Sequence, residues 1–221
     1  MKIIFWLDPS CPFTWRTSRW VRDVAARHGH DVHWQFLSLA MLNEGKQDIP
    51  ERLRQAHQRA LGALRILAAT DQQFGQQAVG RLYTELGARV HEGPLRLTPD
   101  VLADAVSAAG LPAGLAASAG DPELDKLVRE SHDAAQARVG TETGSPVTAI
   151  ADGHAFFGPV LASVPGAADG DRMFEALRLL AAVPQFSELK RARLPLALDH
   201  AGLRSRTEGD GHSWTSIRLT S

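Results

Sequence analysis

The order of apolar patterns along this chain of 221 residues predicts an α/β fold into which an all-helical block is inserted. Three observations lead to it. A strand, a helix and a second strand follow one another at the start of the chain. No convincing strand then occurs between Pro50 and about Val139. Strand signals return after Gly140 and are followed by a helical pattern.

Residues 2–7 form a short apolar run (Ile3, Ile4, Phe5, Trp6, Leu7) of the kind that becomes a buried strand. Residues 13–28 place Trp20, Val21, Val24 and Ala25 on one helical face, and Gly29 is a suitable C-terminal stop. Residues 31–39 alternate, with Val32, Trp34 and Phe36 set against His33 and Gln35, and read as the second strand. Such a βαβ unit is expected to be parallel and right-handed. In the middle block, residues 51–69 keep Leu53, Ala60, Leu61, Leu64 and Leu67 on one stripe, and residues 72–91 give a second helix. Thr98-Pro99-Asp100 is a start signal for a helix to about Ala109, and Asp121-Pro122 starts another that runs to Arg138. Beyond Gly140, residues 147–151 and 154–157 flank Asp152-Gly153, a strong hairpin signal. Residues 171–182 are predicted helical, with a short helix at 185–190, and the period is lost from about Arg193. The expected organisation is a discontinuous domain of residues 1–42 and 140–195, an inserted helical domain of residues 43–139, and a loose tail of residues 196–221.

Composition narrows the function classes. An apolar content of 44% over this length supports a full core. Net charge is −1 with no basic run, so nucleic acid is not an expected partner. No apolar run approaches the roughly 18 residues of a membrane span, and the N-terminus enters a strand without a secretory cleavage pattern. A single cysteine excludes an internal disulfide and agrees with a reducing cytoplasm. The arginine-rich, lysine-poor and alanine-rich composition suits a high-GC genome.

That one cysteine stands in Ser10-Cys11-Pro12-Phe13-Thr14-Trp15, between the first strand and the first helix. A lone cysteine is ordinarily a small buried hydrophobe. At a helix start, however, unpaired N–H groups and the positive dipole end favour the thiolate, which is the nucleophile. Pro12 suits the first helical position. Cys11 is therefore expected to be reactive, titrating below the free value of about 8.5. Thr14 has two roles open to it, a hydrogen bond to backbone or one to the Cys11 sulfur. Asp8 is either a turn residue or a proton acceptor near the thiol. Gly144-Ser145-Pro146-Val147 stands before a returning strand, and we expect a cis Ser145–Pro146 bond that lays its backbone beside Cys11. Backbone there could pair with an extended substrate segment.

At this point the chain resembles the DsbA-like branch of the thioredoxin superfamily, and more closely the actinobacterial mycothiol-dependent nitroreductase group. The resemblance rests on Phe5-Trp6-Leu7-Asp8-Pro9-x-Cys11-Pro12, Ser18-Arg19-Trp20, Ser38-Leu39-Ala40-x-Leu42-Asn43-Glu44, Ala155-Phe156-Phe157-Gly158-Pro159-Val160-Leu161 and Glu188-Leu189-Lys190-Arg191. It implies a thioredoxin-like fold, Cys11 as nucleophile, Pro146 as cis-proline, cytoplasmic location and mycothiol as reductant. The family's second active-site cysteine is replaced by Thr14, so an intramolecular disulfide cycle is closed to this chain.

The expected function is a one-cysteine thiol-disulfide oxidoreductase, with Cys11 and Thr14 catalytic and with Pro12, Phe13, Trp15, Ser145 and Pro146 binding substrate or thiol. No tightly bound cofactor and no metal are expected. A low-molecular-weight thiol, mycothiol by resemblance, serves as co-substrate for a disulfide or an electrophilic small molecule; no membrane partner is expected, and a homodimer is left open. Trp15 and Trp20 on a crossover helix are more ordinarily core than groove. His28, His30 and His33 lack carboxylate or cysteine partners at zinc spacing, and His57, His91 and His132 fall on helices as solvated or core residues. Gly158-Pro159 is read as a plain turn. Two rivals stand beside this reading: a thiol-dependent transferase or isomerase of the kappa-class glutathione transferase and hydroxychromene-carboxylate isomerase type, and a non-catalytic binding module.

Overall fold

The computed structural model describes residues 1–151 and 153–193. The expected tail at 196–221 and Asp152 of the hairpin turn lie outside the described residues. A four-stranded sheet in the order β2-β1-β3-β4 forms the centre. Strand β1 (Lys2–Leu7) pairs in parallel with β2 (Asp31–Phe36), and in antiparallel fashion with β3 (Val147–Ile150), which pairs with β4 (Ala155–Phe157). The crossover between the parallel pair is α1 (Pro12–His28), closed by Gly29 at φ 64°.

Both faces of β1 are covered, which is why it reads as a continuous apolar run rather than an alternating one. Ile3, Phe5 and Leu7 join α1 and the helical block in one core, while Trp6 faces Leu37, Ala135 and Val147 on the other side. Helix α5 (Asp125–Val139) closes that second face, and its Ser131 carbonyl accepts the Trp6 indole N–H at 3.1 Å. The outer edge of β2 is blocked by side chains. Gln76 accepts the Trp34 N–H and donates to the Trp34 carbonyl, at 2.6 and 3.2 Å, and Ser131 Oγ accepts the Phe36 N–H at 2.7 Å. An edge sealed in this way has no free N–H and C=O row at those positions for strand addition.

Between β2 and β3 the described elements are helical: α2 (Leu39–Leu42), α3 (Glu51–Gly87), α4 (Pro99–Ala108) and α5, with 3₁₀ turns at Ala113–Gly120 and Pro122–Leu124. Several expectations are corrected in detail. The second strand ends at Phe36, because Ser38 caps α2 through a bond from the Met41 N–H. The two helices expected over 51–91 adjoin at Gly75, not near residue 70. Gly75 takes φ 73°, a left-handed conformation open to glycine. A π-type turn, Ala88–Glu92, follows. Two further glycines of α3 make room for tryptophans. A Cβ on Gly87 would lie 2.1 Å from the Trp15 ring, and one on Gly80 would lie 2.7 Å from Trp34 Nε1. The last helix, α6 (Ala167–Ala181), starts four residues earlier than the expected position 171. The expected helix at 185–190 is absent. Only a turn from Phe186 N–H to the Val183 carbonyl forms (3.0 Å), and Phe186 packs on Phe156.

Candidate active site

Cys11 is the N-cap residue of α1, with extended backbone (φ −86°, ψ 115°), and its sulfur accepts the Thr14 N–H at 3.5 Å. The preceding turn is held by Asp8. The Cys11 N–H donates to the Asp8 carbonyl at 3.1 Å. The Asp8 carboxylate accepts Ser10 N–H and Ser10 O–H on Oδ1, at 2.8 and 2.5 Å, and the Leu39 N–H on Oδ2 at 2.8 Å. One buried carboxylate thus ties the thiol turn to the start of α2.

The second half of the site arrives from 134 residues along the chain. The Ser145–Pro146 peptide is cis, and the Cys11 thiol donates to the Ser145 carbonyl at 3.4 Å. Thr14 Oγ1 and Ser145 Oγ lie 2.7 Å apart, both buried. The hydroxyl of Thr14 therefore takes neither of the partners expected for it as its closest contact: it meets the Ser145 side chain. If Ser145 donates, the Thr14 proton is free to turn towards the sulfur. Gly158–Pro159, read as a plain turn, is also cis. It is tied to α1 by Thr17 Oγ1 donating to the Pro159 carbonyl at 2.7 Å, and to β3 by Thr148 Oγ1 donating to the Gly158 carbonyl at 2.6 Å.

The electrostatics correct the expectation of an acidic thiol. Cys11 is only 7% exposed, and burial pushes its titration above the ordinary value. The side chain and amide of Thr14 pull in the opposite direction, while the nearby Asp8 charge adds to the rise. Removing a thiolate from water outweighs the helix-start donors here. Asp8 is itself fully buried, and desolvation raises its carboxyl against the opposing hydrogen bonds from Ser10 and Leu39.

Pro12 and Phe13 are half-buried at the rim, and Arg193 lies 5.5 Å from the Phe13 ring centroid. Trp15 is core. Its ring is covered by the Arg19 guanidinium at 3.8 Å, by Tyr83 edge-on at 5.8 Å and by His91 stacked at 5.9 Å. Trp20 is likewise buried and donates to the Gly170 carbonyl at 3.0 Å. His91 donates through Nε2 to the Pro9 carbonyl at 2.9 Å, and burial lowers its titration to about 4, so it is neutral near pH 7. His57 accepts from the Asn43 amide at 3.3 Å and feels the Asp8 charge, although burial lowers its titration overall. Nothing in the sequence marked His57 or His91 as neighbours of the thiol turn, since both come from the helical block. Among the described residues no group of three or more His, Cys, Asp or Glu side chains is arranged to hold a metal ion, and no described helix is long and apolar enough to cross a membrane.

Comparison with known proteins identifies the family and the fold. The model of a family described as Rv2466c-like, mycothiol-dependent nitroreductase Rv2466c, matches residues 10–191. The uncharacterized protein Rv2286c of Mycobacterium tuberculosis is 32% identical over 220 residues, covering 96% of this chain and 91% of that protein. Among solved structures, the probable DsbA oxidoreductase SCO1869 of Streptomyces coelicolor superposes with a TM-score of 0.55 at 15% identity, covering 87% of this chain and 94% of that one. The cytosolic disulfide reductase DsbM of Pseudomonas aeruginosa, solved with GSH, gives a TM-score of 0.57 at 15% identity, over 81% of this chain and all 100% of its own. A 2-hydroxychromene-2-carboxylate isomerase gives 0.54 at 15% identity, over 81% and 94%. At these identities the structural likenesses establish the DsbA-like thioredoxin fold alone.

Proposed function

The chain belongs to the Rv2466c-like family of mycothiol-dependent nitroreductases, and from that premise we propose that it is a one-cysteine thiol-disulfide oxidoreductase with mycothiol as its reductant. The observation that supports this most directly is the seating of the chain's single thiol. Cys11 Sγ sits at the helix start, between the Thr14 N–H at 3.5 Å and the carbonyl beside the cis peptide at 3.4 Å.

In the proposed reaction the Cys11 thiolate attacks one sulfur of a disulfide R–S–S–R′. The Cys11–R disulfide bond forms, the R–R′ sulfur bond breaks, and R′S⁻ leaves with the electron pair and is protonated by solvent. A mycothiol thiolate then attacks the R sulfur, which returns Cys11 as thiolate and releases R joined to mycothiol. A second mycothiol frees R and forms mycothiol disulfide, so the two electrons come from two mycothiol molecules. Thr14 and Ser145 assist at the first step. When Ser145 Oγ donates to Thr14 Oγ1, the Thr14 proton points at the sulfur and stabilises the thiolate as it forms. Pro12 and Phe13 form the rim that meets the substrate, Ser145-Pro146 the opposite wall, and Trp15 supports the turn from behind. A reducing cytoplasm suits both the single cysteine and the reductant.

Incubation with mycothiol disulfide, followed by intact and peptide mass spectrometry, tests this reading. One mycothiol adduct on Cys11, removed by free mycothiol, is the expected result; no adduct, or one that free mycothiol cannot remove, sinks it.

The burial of Cys11 gives the transferase or isomerase reading its own support. In that chemistry a bound thiol cofactor is the nucleophile and the protein sulfur need never ionise. A thiol cofactor recovered unoxidised after turnover would select it over the redox cycle.

A further inference from the structure

We infer that the cavity between α2, α3 and α5 is the binding subsite for a neutral, polyhydroxylated group, the glycosidic end of the low-molecular-weight thiol, and this rests on the redox reading above. The cavity has a volume of about 420 Å³, within the roughly 300–1,000 Å³ typical of small-ligand sites. Its α2 wall is anchored to the thiol turn through the buried Asp8. Cys11 N–H bonds to the Asp8 backbone, the Asp8 carboxylate accepts the Leu39 N–H, and Ala40 and Met41 of that same α2 turn form part of the cavity lining. His57, another lining residue, feels the Asp8 charge.

The charges of the lining decide the ligand class. Three arginines border the cavity, which at first reading suggests an anion. Each is already engaged. Arg65 is held in a two-point pair by Asp125 at 2.7 and 2.8 Å, and Arg129 pairs with Glu44 at 3.0 Å. Arg54 donates to the Lys46 and Ile49 carbonyls and lies 3.6 Å from Glu51. With Asp125, Glu44 and Glu51 each paired to one of the three guanidiniums, an incoming anion would have to compete with a carboxylate for every cation. The remaining polar lining is the Gln58 amide and the His57 and Asn43 pair. Because the Asn43 amide donates to His57 Nδ1, the imidazole carries its proton on Nε2, as a donor. Met41 and Leu61 add apolar lining. Mixed donors and acceptors with apolar lining suit the hydroxyls and C–H faces of a sugar or cyclitol. Mycothiol ends in such a group, a glucosaminyl-inositol attached through N-acetylcysteine to the sulfur.

The neutral, thiol-free glycoside N-acetylglucosaminyl-inositol is the probe, titrated by calorimetry into wild type, Gln58→Leu and Gln58→Trp. Gln58 is exposed, so both variants are expected to fold. Saturable binding to wild type, weakened about ten-fold by Gln58→Leu (about 1.4 kcal/mol) and abolished by Gln58→Trp, is the expected result. No binding to wild type, binding indifferent to Gln58→Trp, or tighter binding of inorganic phosphate than of the glycoside overturns the inference. A parallel assay measures release of the Cys11 adduct by mycothiol and by N-acetylcysteine, which lacks the glycoside. Glycoside binding without adduct release by either thiol would remove the redox reading and leave the subsite. Equal release rates with no glycoside binding would remove the subsite and leave the redox reading.

Discussion

Replacing Thr14 with valine keeps the branched shape of a fully buried side chain and deletes one hydroxyl, the group that meets Ser145 Oγ at 2.7 Å. Two effects follow, and their sizes differ. The thiolate loses a donor that now pulls the Cys11 titration down against burial. A hydrogen bond to a charged group contributes about 1.5–3 kcal/mol. The thiol should therefore titrate higher still, and its alkylation at a fixed pH near 7 should slow. Separately, the Ser145 hydroxyl is left buried without its partner, which costs about 1–3 kcal/mol of folding stability. Iodoacetamide alkylation rate against pH reads the first effect, and urea unfolding reads the second. Wild type should show a midpoint above the free-thiol value of about 8.5, because burial dominates. Thr14→Val should move it higher, and Thr14→Ser should restore it. The double variant Thr14→Val with Ser145→Ala should lose less stability than the two single losses added together, since neither hydroxyl is then stranded. A wild-type midpoint below the free value would refute the burial argument. An unmoved midpoint in Thr14→Val would refute the role given to the hydroxyl pair.

Four further outcomes are expected. Gly87→Ala drives a Cβ to 2.1 Å from the rigid Trp15 ring, and such overpacking should cost about 1–3 kcal/mol or more in denaturant unfolding. Gln76→Leu strips both hydrogen bonds from Trp34 at the β2 edge; it should lower stability by about 1–3 kcal/mol per stranded group and speed amide exchange at Trp34. His91 titrates near 4 when folded against about 6.5 unfolded. Its contribution is present above pH 6.5 and is lost as pH falls towards 4, by up to about 3 kcal/mol; His91→Gln should flatten that arm of the stability profile. Thr14→Cys should restore a thiol one helical turn from Cys11, and mild oxidation should then consume both thiols without dimer formation.

The general architecture was legible because its signals are local. Strand, Cys-Pro turn and helix occupy consecutive residues, and between Glu51 and Arg138 the sequence carries helical patterns and no convincing strand. Boundaries failed where one local preference yielded to another. Gly75 breaks α3 inside a strong helical stripe, and Ser38 starts α2 where the alternating pattern still read as strand. The environment of Cys11 was not legible for a different reason. The helix start alone, a local argument, predicts acidity, whereas the thiol is buried and meets the Ser145 carbonyl from the distant loop before β3. The same separation hid the Thr14–Ser145 contact and the approach of His57 to Asp8. The sequence leaves Trp15 open to groove or core, and the packing of Gly87, Arg19, Tyr83 and His91 around its ring decides for core.

The central claim is that Cys11 cycles through a mixed disulfide which a small thiol, and no protein thiol, resolves. Single-turnover kinetics on the isolated Cys11–mycothiol adduct test it most directly, with intact mass followed over time at varied mycothiol concentration. The account predicts an adduct stable alone, released at a rate first order in mycothiol, with one mycothiol disulfide formed per free Cys11 regained. Release at a rate independent of added thiol, or an adduct that persists at saturating mycothiol, would contradict it.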